Sequence, residues 1–130
     1  LFAKKDEGNE PEVIGRVDEN SRVVLPIVLF ASDGFELEME ATINLEFAGA
    51  LVVPEEMARS VGWRCLGARR VMLGVEVRRM HHYLGVVSVG GDPKTIVALG
   101  GLRETPMIGQ KLMAGRKLTV DFHQGIVLLK

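Results

Sequence analysis

A mainly β domain, a barrel or a sandwich, is predicted by three observations. Short runs rich in Val, Leu and Ile recur between Gly-containing turns. One run alternates without a break, with Phe35, Leu37, Met39, Ala41 and Ile43 on one face and Glu36, Glu38, Glu40 and Thr42 on the other. Helical signals are confined to two brief stretches, Pro54–Ser60 and Gln110–Ala114. Together these imply packed β layers with one or two short helices.

Residues 1–12 are charged, carry Gly8, Asn9 and Pro11, and are expected as a mobile tail ahead of a single domain over 13–130. Val13–Val17 reads as a short strand, followed by a polar turn over Asp18–Ser21. Val23–Ala31 has the composition of a buried strand, and Pro26 removes one ladder donor, which places an edge or a bulge there. Ser32-Asp33-Gly34 is a hairpin signal that leads into the alternating strand. The three glutamates of that strand read as a solvated face, since no convergent metal ligands appear elsewhere.

Asn44–Gly49 is too irregular for a strand and reads as a tight loop, with a polar residue at the strand end and a Gly to turn the backbone. Ala50–Val53 resumes the extended chain. Pro54 then suits the first helical position, with Glu55 and Glu56 in the first turn and a stop at Gly62. Arg69–Met80 is extended with a pinch at Leu73-Gly74, and Tyr83–Val89 follows as another strand. Gly90-Gly91-Asp92-Pro93 is a turn; it lacks the spacing of a phosphate loop before Lys94-Thr95. Thr95–Leu99, Lys117–Phe122 and Ile126–Leu129 complete the strands, the last two around a turn at His123-Gln124-Gly125. Gly115 ends the second helix.

The chain of 130 residues, 47% hydrophobic and 25% charged, is long enough for a real core. A net charge of -1 gives no global electrostatic reason to bind nucleic acid or an anionic membrane. No apolar run approaches the roughly 20 residues that span a bilayer, and Leu1–Glu7 has no signal-peptide core, so cytoplasmic residence is expected. Cys65 is the one cysteine, which excludes an internal disulfide, and it reads as a core thiol. Adjacent His81 and His82 should diverge to opposite strand faces and read as surface or strand-end histidines. Arg69, Arg70, Arg78 and Arg79 read as a solvated ribbon, and Trp63 as core or interface. No metal or cofactor is expected.

The stretch Ile43–Pro54 carries a likeness. An apolar residue, then Asn44-Leu45-Glu46, two more residues, Gly49, and an apolar run closing with Pro54 resembles the active-site loop of retropepsin-like aspartic peptidases of the small bacterial single-domain type. In that loop the polar triplet is Asp-Thr-Gly, so Asn44 falls on the catalytic Asp, Leu45 on the Thr and Glu46 on the Gly. Phe47, Ala48 and Gly49 complete a degenerate active-site loop. Gly15–Glu19 looks like the family's opening. Arg69–Val77, with Met72, Leu73, Gly74 and Val75 at its centre, sits where the flap belongs. Its single Gly and apolar neighbours make a shorter turn than the family's, which would cover a substrate less fully. Met107-Ile108-Gly109 matches the second structural loop, Leu112-Met113 continues it as a helix, and Lys117–Phe122 resembles the penultimate strand.

The resemblance implies a retropepsin-like closed β-barrel that dimerises. In that family each chain of the dimer supplies one Asp, and the paired carboxyls share a proton. One acts as base on the attacking water while the other acts as acid. Asn44 can hold a water but has no titrating proton, Leu45 loses the hydrogen bonds of the Thr, and Glu46 adds a side chain where none is usual. The implied protein is a catalytically inactive homologue, a pseudo-protease, acting as a peptide-binding or assembly module. Its partners would be a second copy and an extended peptide or protein segment, with no nucleic acid and no membrane. The apolar strand Ile126–Leu129, without an obvious polar face, motivates the dimer. One alternative is an active aspartic endopeptidase with a dyad relocated to Glu46, disfavoured because residues two apart rarely aim at one point. Another is a structural β domain whose cleft is vestigial.

Overall fold

The computed structural model describes residues 12–101 and 105–130. The tail expected over 1–12 therefore lies, apart from Glu12, outside the described residues. The chain runs β1 (Val13–Val17), β2 (Val23–Phe30), β3 (Glu36–Ile43), β4 (Leu51–Pro54), α1 (Glu55–Ser60), β5 (Arg64–Leu73) and β6 (Glu76–Ser88). It continues as β7 (Lys94–Gly101), β8 (Met107–Ile108), α2 (Gln110–Met113), β9 (Leu118–Asp121) and β10 (Ile126–Leu129). The mainly β class and the two short helices stand.

The strands join in the order β5-β6-β7-β4-β8-β3-β2-β1-β10-β9. β6 also pairs with β2 through Val28↔Ser88, Leu29↔Val87 and Phe30↔Val86. Pairings thus lead from β6 through β7, β4, β8, β3 and β2 back to β6. Inside that circuit lies the main core, which includes Leu25, Ile27, Leu29, Leu51, Tyr83 and Val87.

Three strands differ from expectation. β5 begins at Arg64, and Glu76–Ser88 is one unbroken strand of 13 residues. His81 and His82 do not interrupt it, because both lie in register opposite β5 and β7. β2 is an interior strand, not an edge. Its second neighbour is β1 at Val23 and Val24 but β6 from Val28 to Phe30. Pro26 falls in the gap where one partner has left and the next has not arrived, so its missing N–H interrupts no strand pairing on that side. Phe35, at the start of the alternating stretch, is 65% exposed at the hairpin instead of sharing the core with Ala41.

Pro54 sits one residue earlier than predicted, as the cap residue before α1. The helix ends as a Schellman motif: Trp63 N–H donates to Ala58 O at 3.1 Å and Gly62 N–H to Arg59 O at 3.0 Å. Gly62 takes φ of +79° there, and a Cβ would meet Ser32 Oγ at 2.2 Å. Trp63, delivered by this turn, is buried; its Nε1 donates to Phe30 O at 2.8 Å and its ring covers Gly85. Cys65 is exposed, contrary to the expected core thiol. A register shift between Cys65 and Gly67 turns the strand there, and Gly67 has φ of +104°.

β10 is hydrogen-bonded on both sides, by β1 and by β9. Val127 and Leu129 point into the core, and Ile126 is partly exposed on the other face. Its lack of a polar face is accounted for within one chain by burial of alternate residues.

Candidate active-site loop and cleft

β3 enters the Asn44 loop and β4 leaves it, yet the two strands do not pair with each other. β8 lies between them, parallel to β3 through Thr42↔Met107 and Ile43↔Ile108, and antiparallel to β4 through Leu51↔Ile108 and Val52↔Met107. The two-residue strand is therefore a spacer that holds the mouth of the loop open. It also brings the sequence-predicted loop Met107-Ile108-Gly109 against Asn44–Gly49.

Backbone hydrogen bonds knit the two loops together. Asn44 N–H donates to Ile108 O and Gly109 N–H to Ala50 O, each at 2.9 Å. Gln110 N–H donates to Phe47 O at 2.9 Å and Lys111 N–H to Gly49 O at 3.1 Å, so the free donors at the start of α2 are taken up by the loop. Gln110 Nε2 adds a bond to Leu45 O at 2.6 Å. Phe47 is buried as a wedge between two glycines. A Cβ on Gly49 would lie 2.5 Å from its ring, and one on Gly109 would lie 2.3 Å from Gly49 O. Close backbone approach explains both glycines.

Asn44 is partly buried, and its amide is already engaged: Oδ1 accepts the Glu46 N–H at 2.9 Å, and Nδ2 approaches Met107 Sδ at 3.5 Å. Leu45 and Glu46 are exposed, with Leu45 at 52%. Ala48 is exposed beside them.

The residues expected at the flap form the end of the β5–β6 ribbon. Leu73 pairs with Glu76, leaving Gly74-Val75 as a two-residue turn with Gly74 at φ of +66°. A Gly at the first turn position suits the twist of a tight hairpin. The ribbon's inner face, Val71, Leu73 and Met80, packs on Phe47, Val52, Leu99 and Met107. Its tip reaches the loop, where a Cβ on Gly74 would lie 3.7 Å from Glu46 Oε1. Met72 and Val75 are exposed, Val75 almost completely at 97%.

Two spaces result. A chamber of about 150 Å³ between the tip and the loop is lined by Asn44, Glu46, Leu73, Gly74, Glu76 and Arg78 among others. An open cleft of about 740 Å³ lies beside it, with Phe47–Ala50 along one side. Val71, Leu84, Ile96 and Leu99 make its surface mainly apolar.

A second polar cluster was not legible in the sequence. Glu55, at the start of α1, accepts the Tyr83 hydroxyl at 3.0 Å and is in contact with His81 Nδ1, while Arg59 Nη2 approaches the same oxygen at 3.5 Å. Burial pushes the Glu55 carboxyl upward, but the bonds from Tyr83 and His81 and the neighbouring positive charges outweigh it. They hold the carboxyl below its ordinary value. Burial pushes the Tyr83 phenol up, so it remains the donor. His81 and His82 diverge as adjacent strand residues must: His81 faces Glu55, whereas His82 lines the cleft, with Nδ1 3.2 Å from Met80 O. Glu36, Glu38 and Glu40 are exposed, and Glu40 forms a two-pronged pair with Arg16. Among the described residues, no group of three or more His, Cys, Asp or Glu is placed to hold a metal ion. Nor is any helix long and apolar enough to cross a membrane.

No family model matches the sequence, and no curated protein matches it. Among solved structures, the chain is similar to a retropepsin-like aspartic protease from Rickettsia conorii, with a TM-score of 0.67. The match has 15% sequence identity and covers 93% of this chain and 91% of that one. At so low an identity the likeness speaks to architecture: the chain has a retropepsin-like fold.

Proposed function

We propose that this protein is a retropepsin-like domain without aspartic peptidase activity, whose cleft holds an extended peptide or protein segment. The observation that carries this reading is the state of Asn44. The resemblance assigns its position in the loop to the catalytic Asp, and its amide oxygen is engaged by the Glu46 backbone. An amide at that position cannot take a proton from an attacking water. The apolar cleft beside the loop is of a size that accommodates a ligand, which supports binding as the retained role.

A homodimer belongs to the same proposal. Leu45, half exposed at the loop where the likeness places the contact between two loops, is an apolar residue that a second copy would cover. Light scattering at tens of micromolar protein tests this, and a monomer there would remove the dimer from the proposal.

Cleavage of a mixed peptide library, read by mass spectrometry from acid to neutral pH, tests the absence of activity. The natural sequence is compared with Asn44→Asp, Leu45→Thr, Glu46→Gly. Cutting by the triple variant alone supports an inactive enzyme on a competent frame. Specific cutting by the natural protein that is lost on Glu46→Gln would replace this reading with a relocated dyad.

A further inference from the structure

The large cleft is apolar along its surface but not neutral. Arg70 on β5, Lys111 on α2 and His82 on β6 all line it, and among the described residues its lining contains no Asp or Glu. The chain as a whole carries a net charge of -1, so the positive bias belongs to this place and not to the composition. The adjoining chamber differs. It contains Glu46, Glu76 and Arg78, and Glu76 pairs with Arg78 at 3.3 Å.

Lys111 is held by its backbone bond to Gly49 O, which fixes the start of α2 against the cleft wall. Arg70 stands directly opposite Arg79 in the ribbon. Two like charges across a strand pair disfavour the hairpin, and an anion at the cleft would relieve that repulsion.

We propose that the cleft selects an extended apolar segment bearing an acidic side chain, with Arg70 and Lys111 as the groups that recognise its carboxylate. This rests on the peptide-binding reading above and names the chemistry of what is bound. The apolar lining takes the flanking side chains, and the two cations supply the charge-assisted hydrogen bonds that decide among peptides.

The probe is a set of short Val, Leu and Thr peptides, blocked at both ends, with one position scanned as Glu, Gln or Lys. Binding is followed by calorimetry. The Glu peptide should bind about tenfold more tightly than its Gln twin, the lower end for a hydrogen bond to a charged group. That preference should shrink in Arg70→Gln and in Lys111→Gln, and Arg70→Glu with Lys111→Glu should favour the Lys peptide instead. Both positions are exposed, and circular dichroism checks that each variant stays folded. Equal binding of Glu and Gln peptides overturns the acidic preference while leaving peptide binding intact. Failure of every peptide to bind overturns both readings, and a preference that survives both cation substitutions overturns the assignment to Arg70 and Lys111.

Discussion

Asn44 Oδ1 accepts the backbone N–H of Glu46 at 2.9 Å, so the first residue of the loop is bonded to its own turn. This is the geometry in which Asn and Asp side chains stabilise tight turns. It gives Asn44 a structural role that is separable from any role in chemistry.

Asn44→Asp preserves the acceptor, whereas Asn44→Ala removes it. The alanine variant is expected to lose about 1 kcal/mol of stability, and the aspartate variant to lose much less at neutral pH. Urea unfolding of the two proteins side by side measures the difference. Equal losses would show that the turn bond contributes nothing.

Gly109 is fitted between Phe47 and the backbone of Gly49, with 2.3 Å available where a Cβ would meet Gly49 O. Gly109→Ala should therefore cost about 3 kcal/mol, because a backbone atom cannot step aside as a flexible side chain can. Gly34→Ala is the control: its φ of +90° brings strain, but nothing lies within 4 Å. It should cost only about 1 kcal/mol. Thermal unfolding of both variants checks the order.

Glu55 links stability to pH. Its folded-state value is depressed, so its contribution is complete above the ordinary glutamate value, about 4.3. The contribution is then lost as pH falls through the lower folded value. Tyr83→Phe removes the hydroxyl that helps depress it. The onset of the acid limb is set by the unfolded value and should stay where it is, while the limb should end at higher pH and lose less stability; in Glu55→Gln the part of that limb due to this residue should vanish. Unfolding by urea at a series of pH values between neutral and acid reads both effects.

Arg16 and Glu40 form the best-aligned exposed ion pair, at 2.8 Å, with both side chains about half exposed. Glu40→Ala should leave the unfolding midpoint almost unchanged, since water and salt screen such a pair. A larger loss in chemical denaturation would mean that this pair holds β1 to β3 more firmly than its exposure implies.

Much of this protein was readable along the chain. Alternation from Leu37 to Ile43, the Pro-Glu-Glu start of α1 and the left-handed stop at Gly62 are local effects, set by side-chain period and backbone sterics within a few residues. The loop frame from Asn44 to Gly49 was visible for the same reason, because its turn is closed by its own residues.

Other features needed the tertiary structure. Pro26 is harmless because β1 and β6 share one side of β2, a fact of pairing between segments far apart in sequence. Cys65 is exposed because β5 ends the sheet order, and its neighbours from Arg64 to Gly67 are exposed with it. Glu55 meets His81 and Tyr83 across 26 and 28 residues, and Arg70 meets Lys111 only through the cleft that β5 and α2 both border. Periodicity reports which face a side chain takes, whereas pairing register and loop closure decide what it faces, and those depend on contacts that no short window of sequence contains.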